Sequence, residues 1–435
     1  MERLEVMKKE LYRCIHCKAC KFTYSGDPSR EGVGEYKGVL YEGMVPSCPS
    51  GLEYGWESFW NAGRMWIARC IMEGDLEFSE NVRDTIMQCI TCGMCEVQCE
   101  NKVPTVDIIE SLRAACYFSG VPLIEKHELV SKLVVERNNP YGGDKDKRFE
   151  WVKENGLEEY LDKKGAKIAY YVGCTASYRQ INIAVATCKI FKRLGIDFAL
   201  VTKEVCCGSP FFRIGRTDIS QDLMNTNLEL FKKYEMVLFS CAGCYRTFTV
   251  DYPKWIKKEL PFKTNHAFEL ISDMVKDGKI KFKENPELKG KVVTYHDPCH
   301  TGRHFYIDTQ RKIIDESKNL IFDLRKLNKW KEEWFEKPRI IIRALPGVKF
   351  NEMYRIHENS FCCGAGGGVR AGYPDFSLKT SSLRLDEAEA VGADFMLTEC
   401  PFCWRNLDDA NTMYNHGIPV YGILELIDKY DLIAD

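Results

Sequence analysis

Cysteine dominates the chemistry this chain could perform. Two adjacent cysteines followed by glycine occur twice, at Cys206-Cys207-Gly208 and Cys362-Cys363-Gly364, and each time a Cys-x-x-Cys pair follows. The first set is Cys174, Cys206, Cys207, Cys241 and Cys244; the second is Cys299, Cys362, Cys363, Cys400 and Cys403. Neighbouring thiols on one backbone can reach a single inorganic cluster, but they fit poorly round one tetrahedral zinc ion. Five thiols also exceed the four that zinc or a cubane cluster takes. The pattern points to iron–sulfur chemistry of an unusual kind.

The N-terminal region carries a second kind of cysteine run. Cys89, Cys92, Cys95 and Cys99 have the x2, x2, x3 spacing of a cubane [4Fe–4S] ligand loop. Cys14, Cys17 and Cys20 form a similar run, with Cys48 following after a long insertion, Lys21 to Ser47. In two-cluster ferredoxins the fourth cysteine of a run ligates the other cluster. Applied here, Cys89, Cys92, Cys95 and Cys48 hold one cubane, and Cys14, Cys17, Cys20 and Cys99 hold the other. Glu100 stands where proline usually follows the last ligand. Two zinc sites are the alternative. His16, between two ligands, reads as a tuning or surface residue. Cys70, Cys116 and Cys188 sit on apolar helix faces as small core residues.

The elements that must position these thiols are of two types. Residues 1–135 read as helical. Tyr54 to Gly74 has Trp56, Phe59, Trp60, Gly63, Ile67, Cys70 and Ile71 on one face, and Trp56, Trp60 and Trp66 read as packing residues. Pro104 opens a helix that turns Val106, Ile109, Leu112 and Cys116 inward. Residues 136–165, with a polar loop and a charged helix (Phe149 to Lys164), read as a linker. From Lys167 strands and helices alternate, which predicts α/β (Rossmann-like) modules with mostly parallel sheets. Strands are expected at Lys167–Cys174, Phe198–Val201, Met236–Cys241, Lys291–Cys299, Lys349–Met353 and Phe395–Cys400, with a helix at Ala176–Gly195. The first module spans 166–288 and the second 289–435. The second has an insertion at about 310–337 that suits a helical hairpin or a plain surface excursion. All ten cysteines fall at or after strand ends, where ligands gather in such sheets.

Bulk properties narrow the classes. The chain has 435 residues, 45% of them hydrophobic, and a net charge of −2, which gives no basic field for nucleic acid or anionic lipid. No run reaches the length of a membrane span. The charged N-terminus, MERLEVMKKELYR, lacks the apolar core of a signal sequence. The expected place is the cytoplasm, either free or peripheral to a membrane through a partner. Twenty-one cysteines in such a compartment argue for metal rather than disulfides.

The motifs VGCTAS, EVCCGSPFFRIG, SCAGC, DPCHTGRH, NSFCCGAGGGVRAG and ECPFC resemble the Cys-Cys-Gly modules of heterodisulfide reductases. The helical part resembles the electron-transfer subunit of that family and the paired modules its catalytic subunit. The resemblance implies two noncubane [4Fe–4S] clusters beside the two cubanes, and cleavage or formation of a disulfide joining two thiol coenzymes. It also implies other redox subunits, a flavoprotein or a cytochrome b-type membrane subunit, because the sequence has no flavin or nicotinamide fingerprint. Similar modules occur in subunits of flavin-dependent lactate, glycolate or acyl-CoA-linked dehydrogenases. There they pass electrons to a carrier or membrane quinone.

Several residues round the cysteines carry a chemical expectation. Gly208, Gly364, Gly366 and Gly367 let backbone pass close to a cluster. The glycine run lacks the Lys-Ser/Thr ending of a phosphate cradle. Helix N-termini after Cys174 and Cys299 would offer a positive end. His296, Asp297, His300, Arg303 and His304 surround Cys299. They read as a proton donor with a cation for an anionic substrate, or as a hydrogen-bonded shell round a ligand. Arg213 and Arg370 would offset cluster charge or bind substrate acids. With Cys299, Cys362 and Cys363, the residues His300, Arg303 and His304 form the candidate catalytic group, so Cys362-Cys363-Gly364 is expected nearest the substrate.

Overall fold

A computed structural model describes residues 2–24, 44–317 and 324–434. The N-terminal region is helical. Its main elements are Asn61–Glu73, Glu80–Met87, Thr105–Phe118 and Glu125–Arg137. The apolar faces of the first three close a core of Met65, Ala68, Ile86, Ile108, Leu112 and Cys116, while Val134 of the fourth joins a cluster with Phe211 and Ile214 of the first module. One two-stranded antiparallel ribbon, β1 (Phe22–Tyr24) with β2 (Met44–Pro46), flanks it.

Two parallel four-stranded sheets follow, as the strand–helix alternation predicts. The first contains β3 (Ile168–Tyr171), β4 (Phe198–Leu200), β5 (Met236–Phe239) and β6 (Lys263–His266), in the order β4-β3-β5-β6. The second contains β7 (Val292–Tyr295), β8 (Lys349–Phe350), β9 (Phe395–Thr398) and β10 (Val420–Gly422), in the order β8-β7-β9-β10. Both orders are 2-1-3-4 within their own module, so the repeat seen in the cysteines is a repeat of topology. The inner strands are near-continuous apolar runs because both sheet faces are covered. Ala169, Tyr170 and Tyr171 are fully buried. The two modules share one core, in which Tyr170, Leu200 and Leu238 meet Tyr295, Leu397 and Ile427.

The structure departs locally from the pattern. The Tyr54–Gly74 stretch is two pieces, a 3-10 turn (Glu57–Phe59) and the helix Asn61–Glu73. Gly63 lies so close to the backbone of Glu57 that a side chain there would clash. That contact folds the turn back on the helix. Trp56 and Trp66 project into solvent rather than pack. The helix expected from Ala176 breaks into Gly173–Tyr178 and Ile181–Arg193, leaving Ile181 exposed. Strands β6 and β10 carried no clear signal, since KTNH is polar and VYG is short. The second-module insertion spans parts of two helices, Arg303–Glu316 and Leu324–Arg343, and its residues 318–323 lie outside the described ones. Most of the long insertion before Cys48 also lies outside them. Within 136–165, Trp151, Val152, Leu157 and Tyr160 are buried in the core of the sheets.

Candidate metal centres

The N-terminal thiols gather in two neighbouring groups. Cys14, Cys17, Cys20 and Cys99 line one small cavity with His16 and Ala62. Cys99 Sγ accepts the Val103 amide at 3.4 Å. Cys48 lies within electrostatic reach of Cys89 and Cys92, and Cys95 within reach of Cys20, Cys89 and Cys92. Burial pushes the Cys48 thiol up to about 12 and the Cys95 thiol well above its usual value. A bare thiolate is therefore costly there, and a metal that takes the charge removes the cost. Thr91 adopts a positive φ of 53° and its amide donates to Cys89 Sγ at 3.4 Å, so the ligand loop curls round its own sulfur.

In both modules the glycine after the paired cysteines does the same job. Gly208 and Gly364 have φ of 81° and 82°. This left-handed turn, natural for glycine, aims each amide back at the first thiol of its pair: Gly208 N–H to Cys206 Sγ at 3.5 Å, Gly364 N–H to Cys362 Sγ at 3.4 Å. The carbonyls are tied down separately. Asn227 holds Cys206 O at 3.0 Å and Tyr252 holds Cys207 O at 2.9 Å. Asn406 and Ser381 hold Cys363 O at 2.6 and 2.5 Å. With the backbone satisfied on one side, both thiols of each pair project to the other.

There they meet their partners in an unbroken series. Cys206 touches Cys174 and Cys207, Cys207 touches Cys244, and Cys244 touches Cys241. Cys362 touches Cys299 and Cys363, Cys363 lies 3.3 Å from Cys403, and Cys403 touches Cys400. Cys241 touches Cys400, so the two sets border each other. Every cysteine is unpaired as a disulfide. A disulfide takes two thiols; five converging buried thiols suit a multinuclear centre. Gly173, at φ 77°, leaves room where a Cβ would stand 2.9 Å from Cys244 Sγ. Contacts with Cys206 and Cys244 hold the Cys207 thiol down to about 6, against the effect of burial. A helix does begin shortly after Cys299, at Arg303, and Cys241 and Cys400 stand at the N-caps of two more, Ala242–Arg246 and Pro401–Tyr414.

The charged residues round Cys299 have defined partners. Arg303 is buried and gives its guanidinium to three carbonyls, Cys92 O at 3.0 Å, Glu358 O at 2.7 Å and Ser360 O. His304 Nε2 meets Thr91 O at 3.1 Å. Both therefore grip the loop that carries Cys89, Cys92, Cys95 and Cys99. Asp297 would be raised by burial, but Arg339, bonded to both its oxygens at 2.9 Å, holds it below the usual carboxylate range. His300 groups with Cys299 and His304. A Cβ on Gly243 would stand 3.5 Å from His300 Nδ1 and 3.8 Å from Cys241 Sγ, which puts His300 between the two sets. Burial, then the charge of Arg213, lowers His300 to about 3, so its ring is neutral. His296 groups with Cys363 and Cys403. Arg384 Nε donates to His296 Nδ1 at 3.2 Å, so that nitrogen is the acceptor of the pair. Arg213 is taken up by Glu110 at 2.9 Å and Asp251 at 2.5 Å, and Arg370 by Asp409 at 2.5 Å.

Arg113 gave no sequence signal, yet it joins all three parts. This buried side chain donates to Ile86 O at 3.0 and 2.7 Å, Cys89 O at 2.5 Å, Arg213 O at 2.8 Å and Gly367 O at 2.9 Å. Burial lowers it to about 10, so it stays charged. The glycine run explains the close fit. A Cβ would come within 2.8 Å of Ile90 O at Gly366 and within 2.5 Å of Cys89 O at Gly367. Gly366 and Gly367 thus admit the loop of Cys89 and Ile90, where the sequence suggested room for the module's own cluster.

Comparison with known proteins agrees with this geometry. The family described as a cysteine-rich domain matches residues 168–249 and 293–408, and that described as a 4Fe-4S dicluster domain matches 10–103. The chain is 34% identical to one subunit of the dihydromethanophenazine:CoB--CoM heterodisulfide reductase of Methanosarcina mazei, over 433 residues that cover 97% of this chain and 94% of the relative. The chain belongs to this heterodisulfide reductase family. More distant similarity, 28% over 80% of this chain and 62% of the relative, links it to one subunit of the fumarate reductase (CoM/CoB) of Methanothermobacter marburgensis. EtfAB:quinone oxidoreductase of Syntrophomonas wolfei is 27% identical over 78% of this chain and 45% of its own length. As a member of the heterodisulfide reductase family the chain is an iron–sulfur oxidoreductase subunit with redox partners. No helix among the described residues is long and apolar enough to cross a membrane.

Proposed function

We propose that the chain reduces, or forms, a disulfide of two thiol coenzymes at two noncubane [4Fe–4S] clusters fed by two cubane clusters. The carrying observation is the bordering of two complete five-thiol sets through Cys241 and Cys400. The first module's cysteines would hold one noncubane cluster and the second module's the other. Cys14, Cys17, Cys20 and Cys99 would hold one cubane, and Cys48, Cys89, Cys92 and Cys95 the second. Such clusters supply one-electron steps at iron and sulfur. His300, between the sets, would donate its ring N–H towards a departing thiolate, while Arg303 and His304 would keep the cubane loop seated. Electrons would come from or go to a flavoprotein, a cytochrome b-type membrane subunit, or both, with this chain on the cytoplasmic side.

The test is anaerobic turnover of the purified protein with a reduced dye and mixed disulfides of thiol coenzymes, beside an iron assay. Disulfide-dependent dye oxidation with about sixteen irons per chain supports the reading, counting four per [4Fe–4S] cluster. Zinc in place of iron would overturn it, as would dye oxidation that no disulfide stimulates.

A second reading, an electron conduit between a flavoprotein and a quinone, has one observation in its favour. Cys17 is exposed at the head of the sulfur series, beside exposed Ile15 and Trp66. Full cluster content without disulfide turnover would favour it.

A further inference from the structure

Arg148 comes from the polar 136–165 segment, yet it ends against a thiol of the first module. It is 2% exposed, and Nη1 and Nη2 each lie 3.7 Å from Cys174 Sγ. Its placement is determined from behind. Nε and Nη2 donate to Glu204 Oε1 at 3.0 and 2.7 Å. Glu204 in turn accepts the amides of Val172 at 3.1 Å and Gly173 at 3.0 Å, just before Cys174. The Tyr178 ring covers the guanidinium, with 5.6 Å from its carbon to the ring centre. Trp151 Nε1 donates to Arg148 O at 3.1 Å and fixes the backbone.

Among the described residues the second module lacks this arrangement. Beside Cys299 stand His300 and His304. Its buried guanidiniums are engaged elsewhere: Arg339 by the carboxylates of Asp297 and Glu352, Arg303 by backbone carbonyls, and Arg384 by His296 and Glu387. Cys174 is buried and Cys299 half-buried.

N–H···S bonds from a cation withdraw electron density from a ligand thiolate, and hydrogen bonds to sulfur are among the factors that set a cluster's potential. We infer that Arg148 is a tuning residue that raises the reduction potential of the first module's centre. This rests on the reading that the first five thiols hold an iron–sulfur cluster.

The test is a spectroscopically monitored redox titration of the full chain, wild type against R148M and R148K. The first module's signal is identified as the one lost in C207S. R148M should move that signal to lower potential and leave the second module's in place. R148K, which keeps charge without the fork, should fall between. The Fe–S(Cys) stretching bands of the first centre should shift as well. This gives a readout if R148M holds iron only partly, because R148K is then compared by the same bands. An unchanged potential and unchanged bands in both variants would overturn the inference. Loss of no signal in C207S would instead overturn the cluster reading beneath it.

Discussion

The thiols of Cys92 and Cys362 are in hydrogen-bonding contact, although one belongs to the N-terminal Cys89-to-Cys99 run and the other to the second Cys-Cys-Gly motif. Contact with Cys362, then the charge of Arg303, holds Cys92 down to about 6 despite its burial. The N-terminal thiols therefore meet the modules at the second set, and the first set is reached through Cys400 and Cys241.

Ligand pairing in the N-terminal region is open to a direct test. C48A should lose one cluster's iron and leave the signal of the Cys14, Cys17, Cys20 and Cys99 centre intact. Loss of that signal instead, read by low-temperature electron paramagnetic resonance, would reverse the assignment.

Arg113 should be among the most sensitive positions outside the cysteines. R113M takes the donor from Cys89 O, Arg213 O and Gly367 O and leaves Ile86 O with the Cys89 amide alone, and each orphaned buried acceptor costs about 1 kcal/mol or more. The expected loss is roughly 3–5 kcal/mol in denaturant unfolding. R113K should recover less than half, because an ammonium cannot reproduce the planar fork.

At Gly367 the expected damage is steric. A methyl group there would meet Cys89 O, at a φ of 65°. Overpacking costs about 1–3 kcal/mol and the left-handed backbone about 1 more. G367A should therefore lower the unfolding midpoint and, on the proposed function, slow electron exchange between the N-terminal clusters and the modules. G366A, with 2.8 Å to Ile90 O and no positive φ, should do less.

His127 sets a pH dependence. Burial lowers it from 6.5 to about 4, and Nε2 lies 2.8 Å from Gly368 O. Between those values the unfolded chain takes up a proton that the native state refuses. Stability is thus full above pH 6.5 and falls as pH drops towards 4, by about 3 kcal/mol from this group. In H127Q the slope of unfolding free energy against pH should flatten in that window. An unchanged slope would assign it to other histidines.

The cysteine spacing was legible because ligand loops and strand ends are local features. The apolar runs of β3, β5, β7 and β9 announced buried parallel strands just as directly. What spacing could not show was long-range. Nothing in the sequence near Arg148 or Arg113 marks the sulfur or the carbonyls they reach, since those partners come from distant segments. The glycines after Cys363 were legible as a need for close backbone approach, but not as to what approaches. His304 and Arg303 looked like substrate residues because they sit beside a ligand cysteine, whereas their side chains turn to the loop holding Thr91 and Cys92. Polar edge strands such as KTNH left no periodic trace.

The joint built by Arg113, Gly366 and Gly367 has a kinetic meaning. The loop from Cys89 to Cys99 and the second module are set against each other when the chain folds, so no collision or docking equilibrium separates them. On the proposed function, electron passage between them is first order. Its rate is indifferent to dilution and to ionic strength, and only traffic with outside partners carries those dependences.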